Sequence, residues 1–202
     1  MKKKLLTLVC LFLFQQTLVA ATDQDCSTRP ILETRFSYFR PFSSTFRELF
    51  HNGGIDYTIE STIPVWRGLS VWGAVDYFSR SGSMIGINRS LHITIVPVTL
   101  GLKYIYSFNR YYGLYLGAAP KYYFVEMVNR VFPIDHTTHR NGLGGVVEAG
   151  NIICINKRIV VDIFASCSFK NIKGPDGLPP NMSSFSMQVG GWNIGGGLGY
   201  KF

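Results

Sequence analysis

The chain has 202 residues, of which 16% are charged and 14% aromatic, with 21 glycines and a formal net charge of +8. This length fits a single domain, and the composition is poor in charge and rich in ring and turn residues. After the first 21 residues no stretch approaches 18 consecutive apolar residues, so we expect no helix to span a membrane.

The first 21 residues have the three parts of a secretory signal peptide. Lysines occupy positions 2 to 4, an apolar run extends from Leu5 to Phe14, and Val19-Ala20-Ala21 matches a cleavage site. Cleavage after Ala21 removes three lysines and lowers the formal net charge from +8 to +5. We predict that residues 22–30 form a periplasmic N-terminal segment and that residues 31–202 form one domain.

Three cysteines remain after cleavage, in a chain sent to an oxidising compartment: Cys26, Cys154 and Cys167. An odd number leaves at least one thiol unpaired within the chain. We expect Cys154 and Cys167 to be small apolar fillers. Cys26 is expected to be either a loose thiol or a disulfide partner for a second copy.

Eight strands are predicted from segments that alternate apolar and polar residues. Their approximate bounds are 31–42, 54–66, 69–79, 90–108, 111–127, 143–155, 159–170 and 186–202. Tight turns follow the second, fourth and sixth strands, whereas the other connections are long: 43–53, 80–89, 128–142 and 171–185. This strict alternation is typical of a transmembrane barrel, with short turns in the periplasm and long loops outside.

The two faces of the predicted strands differ in charge. In the second strand the odd positions are mostly apolar, whereas Asp56 and Glu60 lie on the even face. These patterns predict an all-β fold, an eight-stranded antiparallel up-and-down transmembrane β-barrel. A secreted barrel of the lipocalin type is the main alternative, but an apolar outer belt of this extent suits lipid better than water.

The last strand ends the chain on an aromatic residue. Its ending resembles the C-terminal assembly signal of bacterial outer-membrane barrels, with Gly197, then Tyr200 three residues later, and a final Phe202. Gly195 stands where that signal usually has a polar residue. The resemblance implies that these residues start insertion into the membrane.

Residues Ile95 to Phe124, IVPVTLGLKYIYSFNRYYGLYLGAAPKYYF, are similar to the central hairpins of small eight-stranded outer-membrane barrels. From about Ile31 to Phe202 the chain resembles this OmpA, OmpX and OmpW-like superfamily. The resemblance implies a bacterial outer-membrane location among lipid and lipopolysaccharide, with the barrel-assembly machinery and periplasmic chaperones as folding partners. Implied roles are structural support, adhesion or serum resistance, or passage of small apolar molecules.

The inward face of the predicted barrel carries six acids and three bases. They are Glu33, Arg35, Asp56, Glu60, Asp76, Lys103, Lys121, Glu148 and Asp162. An eight-stranded barrel is just wide enough for its own side chains, so these charges must pair or share protons. We expect a salt-bridged plug; a proton- or ion-conducting path is the alternative. Four glycines leave the inward face of the last strand nearly bare, so large side chains such as Trp72, Phe39 or Phe78 are expected to fill that space.

Two prolines interrupt the central hairpin. Folding it about Asn109 places Pro97 opposite or next to Pro120, and neither residue donates to the ladder. The apolar parity also changes at Pro97, as a bulge would produce. We expect either a bulge that re-aims the strand or a lateral seam between the lumen and lipid.

Catalytic and metal-binding patterns are weak. His136 and His139 have the spacing of a helix turn, and Ser90-Leu91-His92 begins a strand near the rim, as in lipid-modifying barrel enzymes such as a palmitoyl transferase and a lipid A deacylase. The sequence contains no phosphate loop, zinc-finger spacing or nucleic-acid module. We therefore predict no cofactor, no metal and no nucleic-acid partner, with a lipid-modifying enzyme as the least favoured alternative.

The long loops are rich in cations. The predicted cationic rim consists of Arg47, Arg80, Arg89, Arg130, Arg140, Lys170 and Lys173. It suits the anionic sugar-phosphate surface of lipopolysaccharide or an acidic host glycan. We therefore predict a non-enzymatic barrel with a structural or surface-interaction role, and a narrow route for small apolar molecules as the alternative.

Overall fold

A computed structural model describes residues 29–50, 52–83, 90–131, 134–173 and 186–202. Eight strands form the main sheet: β1 (Ile31–Pro41), β2 (Gly54–Trp66), β3 (Leu69–Ser83), β4 (Ser90–Ser107), β5 (Tyr112–Val131), β6 (Ile134–Cys154), β7 (Ile159–Phe169) and β10 (Gly191–Lys201). They close into a barrel in the order β1-β10-β7-β6-β5-β4-β3-β2, and every pair is antiparallel. The predicted fold class is confirmed.

Two small elements lie between the strands of the barrel. The helix α1 (Ser44–Leu49) follows β1, and β8 (Asn171–Lys173) pairs with β9 (Ser186–Gln188) as a separate two-stranded sheet. Within the described ranges, no helix is long and apolar enough to cross a membrane. The predicted signal peptide lies outside the described residues, as does the predicted N-terminal segment up to residue 28.

The three predicted tight turns all lie at one end of the barrel, which we call the turn end. Arg67 and Gly68 adopt φ values of 37° and 87°, the left-handed conformation that closes a two-residue hairpin. Asn109 and Asn156 start the other two turns, where each side-chain oxygen accepts two backbone N–H bonds at 2.7 to 3.0 Å. Both described ends of the chain lie here too, because the Phe202 amide donates to the Pro30 carbonyl.

Burial alternates strictly along β1 and β5 and less regularly along the other strands. In β1 the odd residues are buried and the even ones exposed, as expected for a sheet with two environments. Large apolar side chains cover the outward face, and Ile59, Leu100 and Ile194 are each at least 60% exposed. A belt of this extent would be an unstable surface in water and a favourable one in lipid.

The other end of the barrel, the loop end, is taller on one side than the other. Strand β5 has 20 residues and β6 has 21, whereas β1, β7 and β10 have 11 each. Pairing between β6 and β7 begins only at Gly145, opposite Phe169. The part of the sheet that extends beyond this pair toward the loop end is called the upper sheet. It comprises residues 79–83, 90–95, 124–131 and 134–144.

The predicted long connection at 128–142 is therefore wrong. Val128 to Val131 continue β5, and β6 begins at Ile134. Residues 135–142 are polar on both faces of the strand, so the sequence there has no apolar alternation. Strand β3 likewise continues to Ser83, and the last predicted strand divides into β9 and β10.

An apolar cluster fills the loop end beneath α1. Its members are Phe39, Phe46, Phe50, Phe78, Leu91, Ile93, Ile95, Tyr123, Val125, Met127 and Val189. The Ser43 hydroxyl caps α1 by accepting the Phe46 amide at 3.2 Å. Phe46 and Phe50 are fully buried, so both rings pack into the mouth of the barrel. We call this cluster the apolar plug.

The cysteines differ from the expectation in one respect. Cys154 is disulfide-bonded, so the prediction that it is a plain apolar filler is wrong. Cys167 is a free, half-buried thiol. Cys26, the predicted partner for a second copy, lies outside the described residues.

Candidate functional site

The lumen of the barrel contains all nine predicted charges, each at most 6% exposed. Arg35 is the centre of the layer nearer the turn end. Its guanidinium contacts four carboxylates, at distances of 2.6 to 2.9 Å, from Glu33, Glu60, Glu148 and Asp162. Each of the four acids comes from a different strand, so one cation connects β1, β2, β6 and β7 across the lumen.

Lys103 completes this layer from β4. Its ammonium contacts Glu60 and lies 3.1 Å from Glu148, and it is 4.2 Å from the ring centre of Tyr115. The Tyr115 hydroxyl donates to Asp162 at 3.0 Å. Paired charges and a hydrogen-bonded phenol fill the cross-section, as a buried ionic network requires. The sequence did not identify Tyr115 as a member.

A smaller polar layer lies nearer the loop end. Lys121 pairs with Asp76, and the Thr58 hydroxyl donates to Asp76 at 2.9 Å. The Asn193 amide donates to Asp56 at 3.1 Å. A cavity of about 20 Å³ separates the two layers, which is room for about one water molecule. Between these two layers the lumen is therefore packed.

The glycines of β10 make room for this packing. A Cβ on Gly197 would lie 2.6 Å from Cγ of Arg35, and one on Gly199 would lie 2.6 Å from Cγ of Glu33. Phe39 occupies the corresponding space beside Gly191. The bare face is filled, as predicted, but mainly by charged side chains. Of the three aromatic residues expected there, Trp72, Phe39 and Phe78, it is Phe39 that contributes.

The two prolines do not lie together, so that prediction is wrong. Pro97 pairs with Tyr123 of β5, and Pro120 pairs with Gly145 of β6. The β3–β4 ladder is interrupted between Val75↔Val98 and Phe78↔Ile95, and the β4–β5 ladder between Thr99↔Lys121 and Leu102↔Ala118. Pro97 therefore lies at the gap between β3 and β4, and Pro120 lies at the gap between β4 and β5. The two gaps are on opposite sides of β4.

The predicted bulge at Pro97 is wrong as well, because the register is the same on both sides of it. The change in apolar parity at Pro97 instead reflects a change in the environment of the outward face. Beyond the belt, Leu91, Ile93 and Ile95 face inward into the apolar plug, while Val98 and Leu100 face outward. The outward face therefore passes from an apolar to a polar environment near Pro97.

The predicted cationic rim is only partly described. Arg80 is exposed, while the Arg47 guanidinium donates to the carbonyls of Pro41 and Phe42 at 3.1 and 3.2 Å. Lys170 donates to the Leu143 carbonyl at 3.2 Å, and Arg140 is half-buried. Arg89 and the side chains of Arg130 and Lys173 lie outside the described part of the structure.

The two histidines with helix-turn spacing do not lie on a helix. His136 and His139 both lie in β6, where residues three apart fall on opposite faces of a sheet. No group of three or more His, Cys, Asp or Glu side chains in the described residues is arranged to hold a metal ion. His92 is different, because its ring lies within hydrogen-bond distance of the hydroxyls of Ser79 and Ser81.

At the C-terminus, Tyr200 and Phe202 are exposed beside the turn end and contact each other edge to face, with ring centres 5.1 Å apart. Gly197 faces inward next to Arg35. The structure thus divides the predicted assembly residues between an outward aromatic pair and an inward glycine.

Eight antiparallel strands, an outward apolar belt and a charged lumen define a small barrel of the outer-membrane type. Solved structures share this fold. OprG from Pseudomonas aeruginosa matches with a TM-score of 0.61 and 15% identity over 90% of this chain and 99% of that one. Neisserial surface protein A matches with a TM-score of 0.56 and 14% identity over 86% and 97%.

The attachment invasion locus protein Ail of Yersinia pestis, solved in complex with the heparin analogue sucrose octasulfate, matches with a TM-score of 0.51 and 14% identity over 86% of this chain and 97% of that one. No protein-family model matches the chain, and no curated protein matches its sequence. The predicted resemblance to eight-stranded outer-membrane barrels is confirmed at the level of the fold.

Proposed function

We propose that this chain is a bacterial outer-membrane barrel whose upper sheet and cationic rim bind anionic saccharide at the cell surface. The turn end then lies in the periplasm and the loop end outside, as in transmembrane barrels with short inner turns. The apolar belt supports insertion in lipid, and the exported chain would reach the membrane through its signal peptide, periplasmic chaperones and the barrel-assembly machinery.

The closed lumen is the observation that carries this proposal. Arg35 and Lys103 fill the section toward the turn end with ion pairs, and the apolar plug fills the loop end. A barrel without an open path has its accessible surface at the loops. Passage of small apolar molecules has less support, because the interior is packed and the two prolines are separated.

The rim provides the charge for an anionic partner. Arg80 is exposed at the upper sheet, and the other predicted cations lie in α1, β5, β6, β8 or the connections between the strands at the same end. Guanidinium groups bind sulfate and phosphate oxygens through paired N–H donors. Ail was solved with a sulfated saccharide, which supports the same chemical class for this chain: lipopolysaccharide phosphates or an acidic host glycan.

Binding of the purified barrel to immobilised heparin tests the proposal. Arg80→Gln combined with Lys170→Gln should weaken retention and lower the salt concentration needed for elution. Arg67→Gln is the matched control, since Arg67 lies in a tight turn at the opposite end. Equal elution of all three proteins, or a loss in the control, would contradict the proposed rim.

A further inference from the structure

The outward face of the upper sheet contains a histidine held by three hydroxyl groups. Nε2 of His92 lies 3.1 Å from the Ser79 hydroxyl, and Nδ1 lies 3.0 Å from the Ser81 hydroxyl. The Thr94 hydroxyl lies 3.4 Å from Nε2. Strand pairing creates this group, because Ser79 is opposite Thr94 and Ser81 is opposite His92.

These side chains lie directly above the apolar belt. One row below, Val96 pairs with the exposed Phe124. In the next row Thr94 pairs with Glu126, and Glu126 pairs with His139. The serine–histidine group therefore lies at the boundary between the lipid-facing and polar parts of the outer surface, where the acyl esters of membrane lipids lie.

A groove beside this group has an apolar side and a polar side. It measures about 250 Å³, and its lining includes Val96 and Phe124 on the belt side and Thr94, Glu126, His139 and Asn141 on the polar side. A lipid with its acyl chain along the belt and its polar headgroup at the upper sheet fits this division. The ester carbonyl would then lie next to Thr94, which lines the groove and pairs with Ser79 on its other side.

We propose that Ser79 and His92 hydrolyse the acyl esters of lipids in the surrounding membrane. A serine hydroxyl within hydrogen-bond distance of an imidazole, with the second ring nitrogen bonded to another group, is the arrangement of an activated nucleophile and its base. With the ring proton on Nδ1, His92 donates to Ser81 and accepts from Ser79. Ser81 is then a positioning residue.

In the first half-reaction the Ser79 oxygen attacks the ester carbonyl carbon while its proton passes to Nε2 of His92. The Thr94 hydroxyl donates to the carbonyl oxygen as negative charge develops there. The carbon–oxygen bond to the lipid alcohol breaks, and that oxygen takes the proton from His92. The products are the deacylated lipid and an acyl ester on Ser79.

Water completes the cycle. His92 takes one proton from a water molecule, whose oxygen attacks the acyl carbon. The bond between that carbon and the Ser79 oxygen breaks, and the serine oxygen recovers the proton from His92. A free fatty acid leaves, and no oxidant, metal or further co-reactant is needed.

Covalent labelling with a fluorophosphonate tests this assignment on the folded barrel in detergent micelles. Mass spectrometry should locate the label on Ser79, and Ser79→Ala should abolish it. His92→Asn should slow labelling by about 100-fold or more, the usual contribution of a general base. Ser61→Ala is the matched control on the outward face of β2 and should label at the native rate.

Fatty acid release identifies the lipid. Mixed micelles of phosphatidylethanolamine and of lipid A form separate arms, and release in either arm that disappears in Ser79→Ala supports hydrolysis and names the source. Ser81→Ala should shift the pH dependence of labelling, while Ser81→Thr restores it. A folded barrel that is not labelled and releases no fatty acid from either lipid, or a label on Ser81, would overturn the proposal.

Discussion

Gly197 of β10 is paired directly with Arg35 of β1, and the absence of a side chain on the glycine lets the guanidinium reach the middle of the lumen. A Cβ added at Gly197 would lie 2.6 Å from Cγ of Arg35 and 3.1 Å from the Thr34 carbonyl oxygen. Arg35 contacts four acids, so it has little freedom to move away.

Gly197→Ala should therefore destabilise the barrel by about 1–3 kcal/mol, the usual cost of overpacking. Urea unfolding in lipid vesicles measures the change. Gly145→Ala is the control, because its added Cβ meets only the Ala119 carbonyl oxygen, at 3.9 Å. Equal losses in the two variants would show that Gly197 does not make room for Arg35.

Removing the central cation should cost more. Arg35→Met leaves the carboxylates of Glu33, Glu60, Glu148 and Asp162 without their shared partner, and we expect a loss of about 3–5 kcal/mol in the free energy of unfolding. Adding Glu60→Gln should recover part of it, since one fewer charge is left uncompensated. Arg40→Met, on the exposed face of β1, should change stability little. A loss no larger than this control would contradict the network as a stabilising plug.

The sequence predicted the fold and the inward charges because period-2 alternation survives wherever one face meets lipid and the other the lumen. Asp162 and Glu60 were both placed correctly by parity alone. The upper sheet could not be predicted, because both faces of residues 135–142 are polar and the alternation disappears. The apolar plug was missed for a related reason: Phe46 lies in a short helix within a long connection and Phe50 lies directly after it, and this helix was not predicted.

The two ladder gaps should behave independently. Backbone amide exchange is expected to be faster at Asp76 and Tyr77, beside the Pro97 gap, and at Gly101 and Ala119, beside the Pro120 gap, than at flanking positions. Pro97→Val should slow exchange only at the first gap and Pro120→Val only at the second. If either substitution slows both, the gaps form the single seam that the sequence suggested.

Assembly should depend on the last aromatic residue and not on aromatic exposure in general. Phe202→Ser should reduce the heat-modifiable barrel in outer-membrane fractions, because the barrel-assembly machinery is expected to recognise Tyr200 and Phe202. Phe108→Ser is a matched control, since Phe108 is 61% exposed at the same end and Phe202 is 62% exposed. Normal yield of the Phe202 variant would contradict the role of this ending.

Single-channel recording in planar bilayers tests the closed lumen most directly. The wild-type barrel should show no stepwise current, and the Phe46→Ala variant should show none either, because the layer around Arg35 and Lys103 still fills the section below the apolar plug. Insertion is checked by heat modifiability of the same samples. Reproducible current steps from the inserted wild-type barrel would contradict a closed lumen and favour passage over surface binding.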